Sequence, residues 1–173
     1  MGRGRAAPEG LMRAVSNAGP IIHLSWIDHL NLLPQLFDEI LVPVAVRDEV
    51  LRAAPEVPGM PAIHAAFQAG WLAVHAVADP AQAEQLRADL DPGEAEAITL
   101  AKELAADLLL LDERRARAQA SGRAIPITGT IGILRRARER GLVRTVLALL
   151  RDLRLHGFRI SAALVEEIRR EES

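Results

Sequence analysis

Residues 108–111 are four consecutive leucines that follow Asp107 and run straight into Asp112. The run is too short for a buried helix and has no polar alternation, so it reads as a strand covered on both faces, the pattern of a parallel sheet. Such a strand needs helices above and below it, and the flanking sequence supplies them. Short apolar runs at 11–16, 39–42, 71–75 and 125–127 alternate with helical segments at 21–27, 32–36, 44–54, 62–69, 80–90, 92–105, 112–120, 131–140, 143–155 and 161–170. Gly19-Pro20 opens the first helix, the cluster from Pro55 to Pro61 stops the third, and Gly141 closes the eighth. Asp91-Pro92-Gly93-Glu94 carries a full start signal, with Asp as cap, Pro at the first helical position and Glu at the third. The expected fold is α/β: three α/β/α layers around a central parallel sheet of four to five short strands.

The length, 173 residues, suits one domain. The first ten residues, MGRGRAAPEG, read as an unstructured tail, so the domain is expected over 11–173, with no repeat or linker dividing it. Aromatic residues make up only 3%, so the core must be built from Ala, Leu, Val and Ile, and Trp26 and Trp71 are expected to help fill it. The absence of cysteine excludes disulfides, thiolate zinc sites and cysteine nucleophiles. His23, His29, His64, His75 and His156 show no metal-ligand spacing. No apolar run approaches the roughly 18 residues of a membrane span, and no signal peptide is visible, so a cytoplasmic protein without membrane partners is expected.

Charge is divided along the chain. From Asp28 to Asp112 there are 4 basic and 15 acidic residues, whereas from Glu113 to Arg144 there are 9 arginines and 2 glutamates. An acidic half can hold cations, and an arginine-rich stretch beside it can hold a polyanion, nucleic acid foremost. The alternative is two ordinary solvated faces that pair with each other.

In an open parallel sheet, sites form at the carboxyl ends of the strands. Asn17 and Asp112 each follow a strand directly and should reach the same edge. Glu94 falls at the start of the apolar stripe of its helix, Ala97, Ile98, Ala101, Leu104 and Ala105. Glu96, two residues on, points about 200° away, beside Glu103, unless the helix start is displaced. Glu94 is thus the better ligand candidate, with a capping box as its alternative role. Asp112 has a helix N-cap as its alternative, and Glu49, which borders a buried helix face, has solvent exposure as its own.

Ser16-Asn17-Ala18-Gly19-Pro20-Ile21-Ile22, Val42-Pro43 with VRDEV, DPGEAEAITLA, LLLLDERRAR and ITGTIGIL together resemble, in order, the PIN-like nuclease superfamily, in particular its branch of relatives of VapC-type toxins. The resemblance covers residues 12–170. It implies a helix-wrapped parallel sheet whose edge acids bind Mg²⁺ or Mn²⁺ to hydrolyse RNA, single-stranded or structured, in a toxin that pairs with a small antitoxin protein and forms a homodimer. The catalytic and metal-binding residues it implies are Asn17, Glu49, Glu94 (or Glu96) and Asp112. Asn17 departs from the superfamily, which has Asp there; an amide oxygen ligates a hard cation but brings no charge. A weakened nucleic-acid-binding or protein-interaction module is therefore the competing expectation.

Around that quartet, Arg114, Arg115 and Arg117 would face the scissile backbone, with Arg135 extending the track. Thr128 and Thr130 open a helix whose free N–H groups can receive a phosphate, although any capped helix start looks the same. With so few aromatics, contacts to the nucleic-acid backbone are expected rather than base stacking.

Overall fold

Strands and helices alternate along the chain in the computed structural model, which describes residues 11–173; the expected tail lies outside the described residues. The order is β1 (Arg13–Ser16), α1 (Ala18–Trp26), α2 (Leu32–Leu36), β2 (Glu39–Val42), α3 (Val44–Val50), α4 (Met60–Ala69), β3 (Leu72–Val74), α5 (Pro80–Leu86), α6 (Pro92–Glu103), β4 (Leu108–Leu110), α7 (Arg114–Ser121), β5 (Ile127–Thr128), α8 (Thr130–Glu139), α9 (Val146–Leu155) and α10 (Ala162–Glu171). The five strands form one parallel sheet in the order β3-β2-β1-β4-β5. This is the expected three-layer α/β/α architecture around a parallel sheet.

Strand alternation sends apolar side chains into two separate cores. Ala14, Ile40, Val42 and Leu110 join the layer that includes α1, α8 and α9. Val15, Leu41, Leu109 and Leu111 join the layer that includes α6 and α7. The leucine run is therefore buried on both sides, as a parallel strand between two helical layers requires. The chain winds outward from β1 through β2 to β3, then returns to β4 on the other side of β1. Strand order thus reverses between β1 and β4, and the crevice at their carboxyl ends is where such a sheet opens.

Differences from the expected boundaries have local causes. The first strand starts at Arg13 rather than residue 11, because the Met12 carbonyl accepts from the Asp38 and Glu39 N–H groups and Leu11 is 82% exposed. The fifth strand begins after Pro126, whose carbonyl accepts from the Leu109 N–H. α7 starts at Arg114 instead of Asp112, with Glu113 as its N-cap. α9 starts only at Val146, where the Glu172 carboxylate accepts from the Val146 and Leu147 N–H groups. Among the described residues no helix is long and apolar enough to cross a membrane.

Candidate functional site

Asn17 leaves β1 with its N–H donating to the Leu110 carbonyl at 2.9 Å, which ties it to the carboxyl end of β4. It occupies the N-cap position of α1, yet its side chain makes no capping bond. The residue is 4% exposed, and its Oδ1 is the buried side-chain atom left without a hydrogen-bond partner among the described residues. Leaving a buried acceptor unpaired costs about 1–3 kcal/mol, so an unfilled role is the natural reading.

The neighbours of that oxygen are acidic. A Cβ on Gly93, in the first turn of α6, would lie 2.8 Å from Glu49 Oε2 and 3.4 Å from Asn17 Oδ1. The bare backbone of Gly93 therefore leaves room where the end of β1, α3 and the start of α6 meet. Glu94, the next residue, is buried and completes the capping box: its Oε2 accepts from the Asp91 N–H at 3.1 Å, and its own N–H donates to Asp91 Oδ1 at 2.8 Å. The capping role and the place beside the acids coexist in one side chain. Burial pushes the Glu49 carboxyl above its usual range; the charges of Asp91 and Glu113 add to this, and Arg52 partly offsets it. Burial likewise pushes Glu94 up; the Asp91 N–H pulls it back, while the charges of Asp91, Glu113 and Glu49 add to the rise.

Glu113 is the acid that sequence reasoning missed. It caps α7 by position only, without a side-chain capping bond. Its charge acts on both Glu49 and Glu94.

Asp112, expected in the acidic set, is occupied elsewhere. Its Oδ1 accepts from the Thr130 N–H at 2.7 Å, and its Oδ2 accepts from the Thr130 hydroxyl at 2.6 Å and pairs with His23 Nδ1 at 2.7 Å. Burial, the largest single influence, pushes this carboxyl up, but the bonds from His23 and Thr130 together outweigh it and hold it below the usual range. The side chain fastens β4 to α1 and α8. A Cβ on Gly129 would lie 2.6 Å from Asp112 Oδ1, so that approach requires glycine. Asp112 thus faces His23 and Thr130 rather than the acids around Asn17, and is left out of the acidic set proposed below.

Three further expectations change. Glu96 accepts from the Ala45 N–H at 2.9 Å, which ties it to the start of α3. Thr130 is fully buried with its N–H and hydroxyl both given to Asp112, so the start of α8 has no free phosphate-binding group at that residue. Arg135 is gripped by Glu167 and Glu171 of α10 rather than left free for substrate. Arg114, Arg117 and Thr128 do line a cleft of about 1080 Å³, together with His23, Trp26 and Glu113, whereas the exposed Arg115 does not.

Residues 13–173 match the DUF3368 family model, described as a PIN domain. The chain belongs to this PIN domain family. A search of curated proteins found no match. PIN domains are generally nucleases that use divalent metal ions, which supports a nuclease-type function for this chain.

The donor set suits such an ion. Asn17 Oδ1 is unpartnered and lies beside the Gly93 opening with Glu49, and all the candidate donors are hard oxygens. Among the described residues no three His, Asp or Glu side chains converge closely enough to hold an ion by themselves. Mg²⁺ commonly keeps several waters and takes one or two protein carboxylates, so an amide oxygen with a sparse set of carboxylates fits it.

Proposed function

We propose that this chain is a ribonuclease dependent on Mg²⁺ or Mn²⁺, with Asn17, Glu49, Glu94 and Glu113 forming its acidic centre. The observation that carries the reading is the orphaned Asn17 Oδ1 beside Glu49 across Gly93. It is reinforced by Glu49 and Glu94, whose carboxyls are pushed up by burial and by the charges of Asp91 and Glu113.

In this mechanism Asn17 Oδ1 and one or two of these carboxylates, Glu49 foremost, would hold the cation with water completing its shell; when bound it would supply an activated water and neutralise charge developing on phosphorus. Glu94 is kept in place by its bond to the Asp91 N–H. Arg114 and Arg117 hold the phosphodiester backbone by charge and by hydrogen bonds. Asp112 keeps the β4–α7 turn rigid, so that Glu113 faces the acids.

Purified protein should cleave single-stranded RNA when Mg²⁺ or Mn²⁺ is added. Glu49→Gln and Glu113→Gln should each lower the rate at least a hundredfold, and EDTA should abolish it. Cleavage that persists in EDTA and in both variants would refute the reading.

Asn17 favours a second reading, a nucleic-acid-binding module whose cleavage is weakened by the missing charge. Asn17→Asp separates the two: a large gain in both metal affinity and cleavage supports the weakened module, whereas unchanged or lower activity supports the first reading. A role as the toxin of a toxin-antitoxin pair, a homodimeric state and a cytoplasmic location extend the proposal, with the family likeness as their support. Rescue of growth by co-expressing a neighbouring small gene, light scattering and cell fractionation test them in turn.

A further inference from the structure

The cleft beside Glu113 has one wall made of rings. His23 lies 4.9 Å from Trp26 and 4.9 Å from Phe158, edge-on to the latter, and Trp26 stacks on His156 at 5.6 Å. Three of the chain's ten aromatic or imidazole side chains, His23, Trp26 and Phe158, thus line this cleft, with His156 stacked on Trp26, against the expectation that Trp26 serves the core. The cluster is rigid, because Asp112 fixes His23 through Nδ1. No hydrogen bond among the described residues engages the other ring nitrogen, Nε2.

Arginines also line the cleft, among the apolar Ile127, Ile131, Ile160 and Leu164 and the acids Asp112 and Glu113. Arg114, Arg117 and Arg159 line it, and none of the three takes part in an ion pair among the described residues. Arg135 also lines it but is neutralised by Glu167 and Glu171. Ring surface and unpaired guanidinium groups lining one cleft match a ligand with a flat base joined to a phosphate. A volume of about 1080 Å³ leaves ample room for it. Glu113 lines the same cleft and belongs to the acidic centre, so the two sites adjoin.

We infer that this cleft receives an unpaired nucleobase of an RNA strand, held against Trp26, His23 and Phe158 while Arg114, Arg117 and Arg159 hold its phosphates. The inference rests on the nucleic-acid reading above and adds to it that the substrate must be single-stranded at this position. A base paired within a duplex cannot offer its face to the rings.

The test uses Trp71→Phe, which leaves Trp26 as the sole tryptophan, in EDTA so that no cleavage occurs. Four probes are titrated: an RNA octamer, an abasic strand of equal length, a duplex of the same sequence and a nucleoside monophosphate. The octamer should quench Trp26 emission and bind about tenfold more tightly than the abasic strand, the scale of one stacked base. Trp26→Leu and Phe158→Ala, checked for folding by circular dichroism and titrated by the anisotropy of a dye-labelled octamer, should lower octamer affinity toward the abasic level without changing its salt dependence. Should both variants unfold, the octamer and abasic titrations of the folded protein decide alone. Equal affinity for abasic and ordinary strands, or for duplex and octamer, overturns the inference and leaves the nuclease reading intact. Equal affinity for the monophosphate makes this a free-nucleotide site and also overturns it. Failure to bind any RNA would refute the nucleic-acid reading as well.

Discussion

Asp112 and Glu113 are adjacent carboxylates that should fail in opposite ways when mutated. Asp112→Ala removes the acceptor for three donors: the Thr130 N–H, the Thr130 hydroxyl and His23 Nδ1. The His23 side chain is 20% exposed and regains some water, but Thr130 is fully buried and does not. Two buried donors stranded at about 1–3 kcal/mol each give a loss of roughly 4 kcal/mol. In a chain of this length that corresponds to a fall in Tm of about 8–16 °C. Asp112→Asn keeps one oxygen for the Thr130 N–H and should lose about half as much. Glu113→Gln removes no hydrogen bond and should leave Tm within about 1–2 °C while abolishing cleavage. The pH dependence has a defined sign. Because the folded-state pKa of Asp112 lies below its unfolded value, its stabilisation is fully present above roughly pH 4 and disappears as pH falls through the folded value. The difference between wild type and Asp112→Asn should therefore shrink only in strong acid. Urea denaturation of the three variants and wild type, from pH 7 down to pH 3, with cleavage assayed at pH 7, measures all of this. The reasoning is refuted if Asp112→Ala keeps wild-type stability but loses cleavage, or if Glu113→Gln keeps full activity.

Glu49 and Glu94 carry the reverse linkage: with folded pKa values raised above the unfolded ones, they cost stability as pH rises from the ordinary carboxylate value through the folded values. Mg²⁺ or Mn²⁺ should relieve that cost, so the gain in Tm on adding the ion should be larger at pH 7 than at pH 5, and Glu49→Gln should raise Tm without ion while erasing the gain; calorimetry reads both. Gly93→Ala would place a methyl 2.8 Å from Glu49 Oε2, and cleavage should drop more than tenfold with the circular dichroism spectrum unchanged. Glu96→Gln should cost about 1 kcal/mol in urea denaturation through the start of α3 and leave the cleavage rate untouched.

What the sequence disclosed about this site depended on how far each signal acted along the chain. The sheet, its layers and the α6 capping box rest on patterns only a few residues long, and apolar runs, Gly-Pro starts and Asp-Pro-Gly-Glu made them legible. The division between Asp112 and Glu113 was also within reach, through the alternation of the strand. Leu110 faces the layer holding α1 and α8, and Leu111 faces the layer holding α6. Continuing that alternation puts Asp112 with His23 and Thr130, and Glu113 with Glu94, as the bonds and charges have it. The same alternation carried past Val15 puts Asn17 on the α6 side, next to Gly93. Reading Asp112 merely as the residue after a strand lost the second of these two directions. Other features had no local signal at all. His23 meets Asp112 across 89 residues, and Arg135 meets Glu167 and Glu171 across 32 and 36. Partners that distant are chosen by how helices pack on the sheet, not by spacing. The ring cluster follows the same rule: Trp26 and Phe158 come from opposite ends of the chain, so a sequence poor in aromatics still assembles an aromatic wall when α1 and the α9–α10 connection close on one cleft.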